Sequence, residues 1–391
     1  MDPHPSDPVP PSAGRRRRSR PRRRGVLPGH RVGPGEPHRI LTWTAAVCGA
    51  ITLLIIAAGL TPRAFFLGTL LAVLPVPVYV ALALWVDRFE PEPPRTLAQT
   101  FAWGATVAVL ISISINTTAQ VELAGLLGEQ GASVFGAVVS APLVEELSKG
   151  LALLCLYLTL RHEFDDVVDG VVYAGMVGLG FAMVENIQFY GAAVDEGGGS
   201  SMVTFAIRGM MAPFAHPLFT AMLGIGLGYT RERMRSARRF WAPPAGFAAA
   251  VGLHALWNLG TTSDAWFKAL YFAVMVPAFV GILVIIYLSL AREGRVIREH
   301  LAPLVETGVI RAEELECFCV ARRRLRASYE AWRAGGTVRW RRRRELHRMA
   351  TELAFHRWRV CRGLSEGPEA DARRDDEYLR RLRALCRLMA V

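Results

Sequence analysis

The chain has 391 residues, of which 52% are hydrophobic, and its formal net charge is +12. A mean hydropathy of +0.25 combined with so much charge argues against an ordinary soluble protein. It indicates instead that charge is segregated into loops and tails, with apolar segments between them.

The first 38 residues are rich in Pro, Gly and Arg and include the runs 15–18 and 22–24, which are entirely arginine. Such a segment cannot bury enough apolar surface to fold alone, so we expect residues 1–38 to form a disordered basic tail. The apolar stretch Ile40–Leu60 that follows is long enough to span a membrane. A cleavable signal peptide is therefore not expected.

Eight segments reach or approach the roughly 20 apolar residues that a helix needs to cross the hydrocarbon core. We therefore predict an all-α polytopic membrane protein with about eight transmembrane helices, which occupy a domain over residues 39–292. The expected spans are about 40–60, 64–86, 98–116, 131–160, 166–190, 202–229, 243–260 and 267–291.

The distribution of arginines between the spans predicts their orientation. Loops 117–130, 191–201 and 261–266 contain no Lys or Arg, whereas the alternate loops and both tails are basic. Cytoplasmic loops carry the excess of basic residues, so an even number of spans with both termini in the cytoplasm is expected. Arg63, in the first short turn, is the exception.

Residues 293–391 are predicted to form a helical, Arg-rich cytoplasmic tail. Candidate helices cover 312–334, 338–362 and 371–388, with breaks at Gly335–Gly336 and from Gly363 to Pro368. The arginines suit an anionic membrane surface or a partner helix, and a solvated basic face is the alternative. No nucleic-acid-binding motif accompanies the charge, so a nucleic-acid partner is not expected.

Ionisable residues at membrane depth are candidates for function because each costs on the order of 2.5 to 3.5 kcal/mol to insert. The fourth span carries Glu145, Glu146 and Lys149, and apolar residues on both sides place the two glutamates near the middle of the bilayer. Lys149 can reach both of them at helical spacing. One glutamate is then free to act as a general base for water; a structural Glu–Lys pair is the alternative.

The next two spans add a carboxylate and an imidazole. Phe181 and Glu185 share a helix face in the fifth span, and the sixth carries Arg208 and His216. Arg208 is able to pair with Glu185 or to extend toward the outer headgroups. Pro217, which lacks a backbone N–H, is expected to kink the sixth span beside His216.

The seventh span places His254 and Asn258 on one face, at i,i+4. Such a pair can position a water or donate to a developing oxyanion. A single buried histidine is more often a satisfied core residue. Its occurrence beside another span with His and two with Glu favours a functional site.

The pattern resembles the PrsW family of bacterial intramembrane proteases over roughly residues 40–290. The resemblance also extends to the stretch from Asp87 to Pro93, which leads into the third span. The matching motifs are Glu145-Glu146-x-x-Lys149, Phe181-x-x-x-Glu185-Asn186, His216 and His254-x-x-Trp257-Asn258.

The resemblance implies an eight-helix intramembrane endopeptidase in the bacterial plasma membrane, similar to the wider group of CAAX-type proteases. It implies Glu145 or Glu146 as the base, and His254 with Asn258 as the groups that steady the oxyanion. Glu185 occupies a position where the wider group has a histidine, so His216 is expected to take over that role. Lys149, Phe181 and Asn186 would support the site. The implied substrate is a membrane-anchored protein, for which a regulatory anti-sigma-type factor is one candidate.

Two questions stay open at this level. The site could work without a cofactor or with a single zinc-type ion, which His216, His254 and Glu145 would hold. A transporter or proton-coupled carrier using the same Glu/His/Lys cluster is the alternative function, since such residues also mark ion paths. A non-catalytic scaffold would leave the buried charges unexplained.

Overall fold

The computed structural model describes residues 36–89, 91–160, 163–197, 199–232, 237–363 and 367–390. Within these ranges every regular element is helical, which confirms the prediction of an all-α protein. The predicted N-terminal tail lies outside the described residues, apart from its last three positions, where the first helix begins.

Fifteen α-helices lie in the described part of the chain. Four short π-helical segments, 104–108, 136–140, 206–211 and 271–275, join some of them end to end. The helices are α1 (Glu36–Ala58), α2 (Pro62–Val73), α3 (Val76–Val86), α4 (Pro94–Trp103), α5 (Val109–Phe135), α6 (Ala141–Thr159), α7 (Val167–Glu196), α8 (Ser200–Phe205), α9 (Ala215–Glu232), α10 (Ala242–Gly260), α11 (Asp264–Leu270), α12 (Val276–Glu306), α13 (Ala312–Cys319), α14 (Ala321–Cys361) and α15 (Pro368–Ala390).

Six helical stretches among the described residues are long and apolar enough to cross a membrane. The third, Pro94–Thr159, reverses direction at Gly128, whose φ of +72° is available to glycine at little cost. Ser140 Oγ donates to Asn116 Oδ1 at 2.9 Å, which requires the chain on either side of Gly128 to run antiparallel. This stretch therefore contains two passes. Helix α10 has 19 residues and is about 28 Å long. The count of eight spans stays a prediction.

Two boundaries differ from the prediction. The expected loop 117–130 is helical except at Gly128, because the outward turn needs only that one residue. The expected single span 64–86 is interrupted at Pro75, which precedes α3.

Helix α7 lies at the centre of the spans and is buried along most of its length, whereas α3 has no buried residue. Glycines allow α9 to approach α7 backbone to backbone. A Cβ on Gly170 would lie 2.1 Å from the carbonyl oxygen of Gly224, and one on Gly178 would lie 2.8 Å from the backbone of His216. This close crossing carries His216 towards the site face of α7.

The expected kink at Pro217 is not formed. Residues 212–214 form a turn, and α9 begins at Ala215, so Pro217 lies in its first turn. A proline there removes no intrahelical hydrogen bond, because the first N–H groups of a helix have no partner within it. The change of direction therefore precedes His216.

Beyond the spans, α12 continues without a break to Glu306, so the predicted domain boundary at 292/293 lies inside one helix. Its end packs with α13, α14, α15 and the side chain of Phe89 around a second apolar core. Helix α14 reverses at Gly335–Gly336, as predicted, since Arg324 donates to Thr351 across 27 residues at 2.6 Å. We call residues 321–351 the basic hairpin.

Candidate active site

The centre of the site is a fully buried lysine on α6. Lys149 Nζ lies 2.8 Å from Glu146 Oε1 and 3.4 Å from Glu145 Oε2, with 0% of its side chain exposed. Lys149 thus contacts both glutamates, whereas the sequence predicted a pair with one of them and left the other free. Helical spacing explains this, since residues three and four apart share a face.

Helix α10 contributes His254 to the two glutamates. Its Nδ1 lies 3.0 Å from Glu146 Oε1, and its Nε2 lies 3.8 Å from Glu145 Oε2. Phe219 of α9 stacks on the imidazole at 4.8 Å between ring centroids. Thr220 donates to the second oxygen of Glu146, Oε2, at 3.0 Å. Both oxygens of Glu146 are thereby engaged.

Helix α9 connects this group to Glu185 on α7. His216 Nδ1 lies 3.0 Å from Lys149 Nζ, and its Nε2 lies 2.8 Å from Glu185 Oε2. Arg208 pairs with Glu185 and donates through Nε to Asn186 Oδ1 at 2.7 Å. Of the two alternatives open for Arg208 in the sequence, the structure forms the pair with Glu185. Polar side chains from four successive spans form one connected network.

Phe181 supports the network from α7, at the position that the sequence motif singled out. Lys149 Nζ lies 3.8 Å from the centre of its ring, and the imidazole of His216 is 5.3 Å away. An aromatic face attracts a cation, so Phe181 helps to hold the ammonium without competing for its hydrogen bonds.

Asn258 is placed differently from the other predicted residues. Its side chain lies near the C-terminal end of α10, where Nδ2 donates to the carbonyl oxygen of Ala137 at 2.7 Å, in the π-helical segment that precedes α6. Its contacts therefore fasten α10 to that segment. A role for Asn258 at an oxyanion remains a prediction.

The partners of the two imidazoles determine which nitrogen of each ring carries the proton. A carboxylate only accepts and an ammonium only donates. His254 is thus protonated at Nδ1, which faces Glu146, and His216 at Nε2, which faces Glu185. Lone pairs remain on His254 Nε2 and His216 Nδ1, and both of these atoms face Lys149 or Glu145.

This arrangement suits a cation. Glu145, His216 and His254 each offer a ligand atom, and the three atoms lie within 4.8 Å of one another. One carboxylate and two histidines form a donor set that zinc uses in catalytic sites. Glu146 and Glu185 hold the other ring nitrogens, as outer carboxylates do around metal-bound histidines. The network also contains three carboxylates and only two permanent cations, Lys149 and Arg208. The residues present therefore fit a metal ion.

Several contributing residues carried no signal of their own in the sequence. Thr220 and Phe219 follow His216 at i+4 and i+3, so helical spacing from His216 would have identified them. Trp103, by contrast, lies in the stretch Ala102–Ala105, whose sequence also resembles the PrsW family. It donates to the carbonyl oxygen of Ser148 at 3.0 Å and fixes α6 against the end of α4. That contact depends on which spans are neighbours, which periodicity does not reveal.

The fold and the site define a polytopic membrane protein with a carboxylate–imidazole centre inside its spans. Comparison with known families agrees, since residues 92–282 match the family described as PrsW family intramembrane metalloprotease. Every predicted site residue lies within this range. Over these residues the chain is similar to the PrsW family.

Three curated relatives carry the name Protease PrsW. The protein of Geobacillus kaustophilus (strain HTA426) is 29% identical over 158 residues, which is 40% of this chain and 64% of the relative. That of Bacillus subtilis (strain 168) is 29% identical over 156 residues, or 40% and 65%. That of Clostridioides difficile (strain 630) is 27% identical over 171 residues, or 44% and 69%. The chain thus covers slightly less than two thirds of the first two relatives. No solved structure matches it.

Proposed function

We propose that this chain is an intramembrane endopeptidase that hydrolyses a membrane-anchored protein. The observation that carries the proposal is the meeting of Glu145, Glu146, His216 and His254 around Lys149, inside spans that match the PrsW family. The family match supports proteolysis over the alternative of a transporter or proton-coupled carrier.

Glu145 is the glutamate best placed to act as the general base. Its side chain is 8% exposed, against 1% for Glu146, and its contacts within the described chain all run through Oε2. Glu146, by contrast, accepts from Lys149, His254 and Thr220. These three hydrogen bonds engage both oxygens of Glu146 and leave it less free than Glu145 to take a proton from water, so Glu146 serves as a positioning residue.

The reaction requires a water molecule to attack the carbonyl carbon of a peptide bond. Glu145 would take the proton of that water, and His254 Nε2, 3.8 Å from the carboxylate, would accept a second hydrogen bond from it. The proton on Glu145 then passes to the amide nitrogen as the C–N bond breaks. Lys149 is the nearest cation to the oxyanion that forms in between.

A metal ion, where present, would be held by Glu145, His216 and His254. It would supply Lewis acidity and lower the pKa of a bound water. Glu146 and Glu185 keep each imidazole in the tautomer that leaves its inward lone pair free, with or without an ion.

The depth of the site defines the class of substrate. About a dozen largely apolar residues precede the glutamate pair, and ten more follow Gly150 in the same span. A scissile bond must therefore enter the bilayer, and a protein anchored by a single span can present one there. A regulatory factor of the anti-sigma type is the candidate that the family resemblance suggests. The arginine pattern further suggests that both termini are in the cytoplasm of a bacterial cell.

Co-expression with a panel of tagged single-span proteins tests the proposal. Glu145→Gln keeps the size of the side chain but removes the base, so we expect cleavage to fall by on the order of a hundredfold to ten-thousandfold. Glu129→Gln is the matched control, since Glu129 is exposed in the same region of the sequence and should leave cleavage unchanged. Cleavage that survives Glu145→Gln, Glu146→Gln and His254→Ala would exclude this site as the source of the activity.

A further inference from the structure

The basic hairpin exposes an apolar stripe that the C-terminal bundle does not use. Leu325, Tyr329 and Trp332 follow one another at i, i+4 and i+7 on the first arm, and they are 50%, 57% and 51% exposed. The rings of Tyr329 and Trp332 stack at 6.1 Å between centroids. The spacing places all three on one side of the helix.

The apolar stripe lies in the most basic segment of the C-terminal region, within the residues that the structure describes. Residues 321–345 contain ten arginines and two glutamates. Arg322, Arg326 and Arg333 adjoin the stripe and are exposed. The second arm behaves differently, because it buries Leu346 and Leu353 completely in the core of the bundle. The exposed apolar side chains of the stripe therefore belong to the first arm, and they do not reflect loose packing throughout the hairpin.

Contacts at two points show how the hairpin is placed relative to the spans. Arg324, which donates to Thr351, lies with its guanidinium 4.4 Å from the centre of the Phe89 ring, and Phe89 comes three residues after α3 ends. Arg362, which lies eleven residues after Thr351, donates to the carbonyl oxygen of Glu232, the last residue of α9.

Thr351 and Arg362 are about 16 Å apart along the helix. Thr351, through Arg324, and Arg362 are each linked to the end of a membrane span. The second arm therefore runs along the edge of the membrane rather than away from it. Beyond Phe89 the hairpin continues for about 20 Å in the same direction before it turns. This places its first arm and turn beside the lipid headgroups on that side.

We infer that the first arm and the turn of the basic hairpin, residues 322–342, dock on the membrane surface through anionic phospholipid headgroups. The arginines supply the attraction to phosphate, and the stripe Leu325–Tyr329–Trp332 enters the boundary between headgroups and acyl chains. Tyrosine and tryptophan are enriched at that boundary because their rings are both apolar and polar. A basic face beside an apolar stripe is the composition of helices that lie in the interface.

The charge and the position together select lipid as the occupant. A second copy of the chain would bring an equally basic hairpin and would repel this one. A soluble acidic partner would account for the arginines but not for the placement at the ends of the spans. This inference is independent of the proposed catalytic activity.

Amide hydrogen exchange of the full chain in lipid nanodiscs tests it. Discs of phosphatidylcholine are compared with discs in which part of the lipid is phosphatidylglycerol. We expect the amides of residues 325–340 to exchange on the order of tenfold more slowly in the anionic discs, since each arginine near an anionic surface contributes about fivefold in affinity. Salt at about 1 M should remove the difference, because exposed charges are then screened.

Two variants separate charge from apolar contact. The triple variant Arg322→Gln, Arg326→Gln, Arg333→Gln should lose the difference between the two lipids, and Leu325→Ser, Tyr329→Ser, Trp332→Ser should weaken the protection in both. The matched control is Arg380→Gln, Arg383→Gln, Arg387→Gln on α15, where the three arginines are also exposed. Unchanged exchange in residues 346–355 would show that each variant keeps its fold.

Three results would overturn the inference. Equal protection in neutral and anionic discs would remove the role of anionic lipid. Protection in detergent that grows with protein concentration would assign the surface to a second copy. Protection that appears only when an acidic protein or RNA is added would assign it to that partner.

Discussion

The membrane site and the C-terminal bundle both bury charged side chains, but they use them differently. In the bundle, Arg324 donates to the carbonyl oxygen of Phe318 at 2.8 Å and to Thr351 at 2.6 Å, and Arg343 pairs with Glu314 at 2.9 Å. These arginines join neighbouring helices through a backbone carbonyl, a hydroxyl and a carboxylate.

In the membrane site, by contrast, groups from three spans present ligand atoms that face one another. His254 Nε2, His216 Nδ1 and Glu145 have ligand atoms that converge on a small volume. The difference teaches that burial of charge alone does not mark a functional site. Convergence of carboxylate and imidazole ligand atoms on one point does mark such a site, because these atoms can hold a cation or activate water.

The largest effect that separates the two regions is expected at Lys149. Lys149→Met leaves Glu145 and Glu146 buried without their ammonium, so we expect a loss of about 3 to 5 kcal/mol in the free energy of unfolding. Denaturant unfolding in mixed micelles measures it. The double variant Glu146→Gln, Lys149→Met should recover part of the loss. A Lys149→Met protein as stable as the parent would mean that the glutamates are not held by this charge.

Asp87, which lies between the two regions, gives a pH-dependent effect. Burial raises its pKa to about 7, a hydrogen bond from the backbone N–H of Glu92 opposes the rise, and the charge of Asp166 adds to it. The carboxyl is near pKa 3.9 when unfolded, so the folded chain binds its proton more tightly. Stability from this group is therefore present below pH 4 and is lost as the pH rises through 7.

Asp87→Asn should remove that dependence. We expect the variant to be more stable than the parent at pH 8, by up to about 4 kcal/mol, and the difference to shrink as the pH falls to 4. Unfolding measured across this range provides the comparison. A parent and a variant with parallel pH profiles would show that Asp87 is ionised at no cost in the folded chain.

Arg324 in the bundle should have a smaller effect and none on catalysis. Burial lowers its pKa to about 9, so its charge is already held at a cost. Arg324→Met removes this cost together with two hydrogen bonds, and we expect a net loss of about 1 to 2 kcal/mol. Cleavage per folded molecule should be unchanged. A fall in that rate would mean that the bundle acts on the membrane site.

The smallest effect is expected at Thr220. Thr220→Val keeps the shape of the side chain but removes the hydrogen bond to Glu146 Oε2, which contributes about 1 kcal/mol. Cleavage should fall by at most about tenfold. Thr230→Val, at the far end of the same helix, is the control for a threonine outside the site.

The sequence was sufficient for the architecture, since hydropathy located the spans and paired glycines located the turn of the basic hairpin. Gly128 was missed as a one-residue reversal because polar residues around it indicated a longer loop. Helix propensity cannot distinguish a long loop from a one-residue turn between two helices. In lipid the backbone N–H and C=O groups need hydrogen-bond partners, so a helix is favoured even where its residues are poor helix formers.

For the site, the free-energy cost of placing ionisable side chains in hydrocarbon singled out the glutamates and histidines. Helical spacing identified the pairs within one span. Contacts between spans were harder. Arg208 with Glu185 was one of two predicted alternatives, because each needs a partner of opposite charge, whereas Asn258 with Ala137 joins a side chain to a backbone carbonyl that carries no sequence signal. The geometry of packing, and not composition, decides such contacts.

Phe89 has a consequence for anyone who shortens this protein. The residue belongs to the short connection after α3, yet its ring is 2% exposed in the core formed by α12 to α15. A chain cut after the last span would leave that ring, Leu290 and the buried Asp87 facing water at once. Such a truncated protein should aggregate or be degraded, so the C-terminal helices act as a cover that the membrane-spanning part requires for its own solubility.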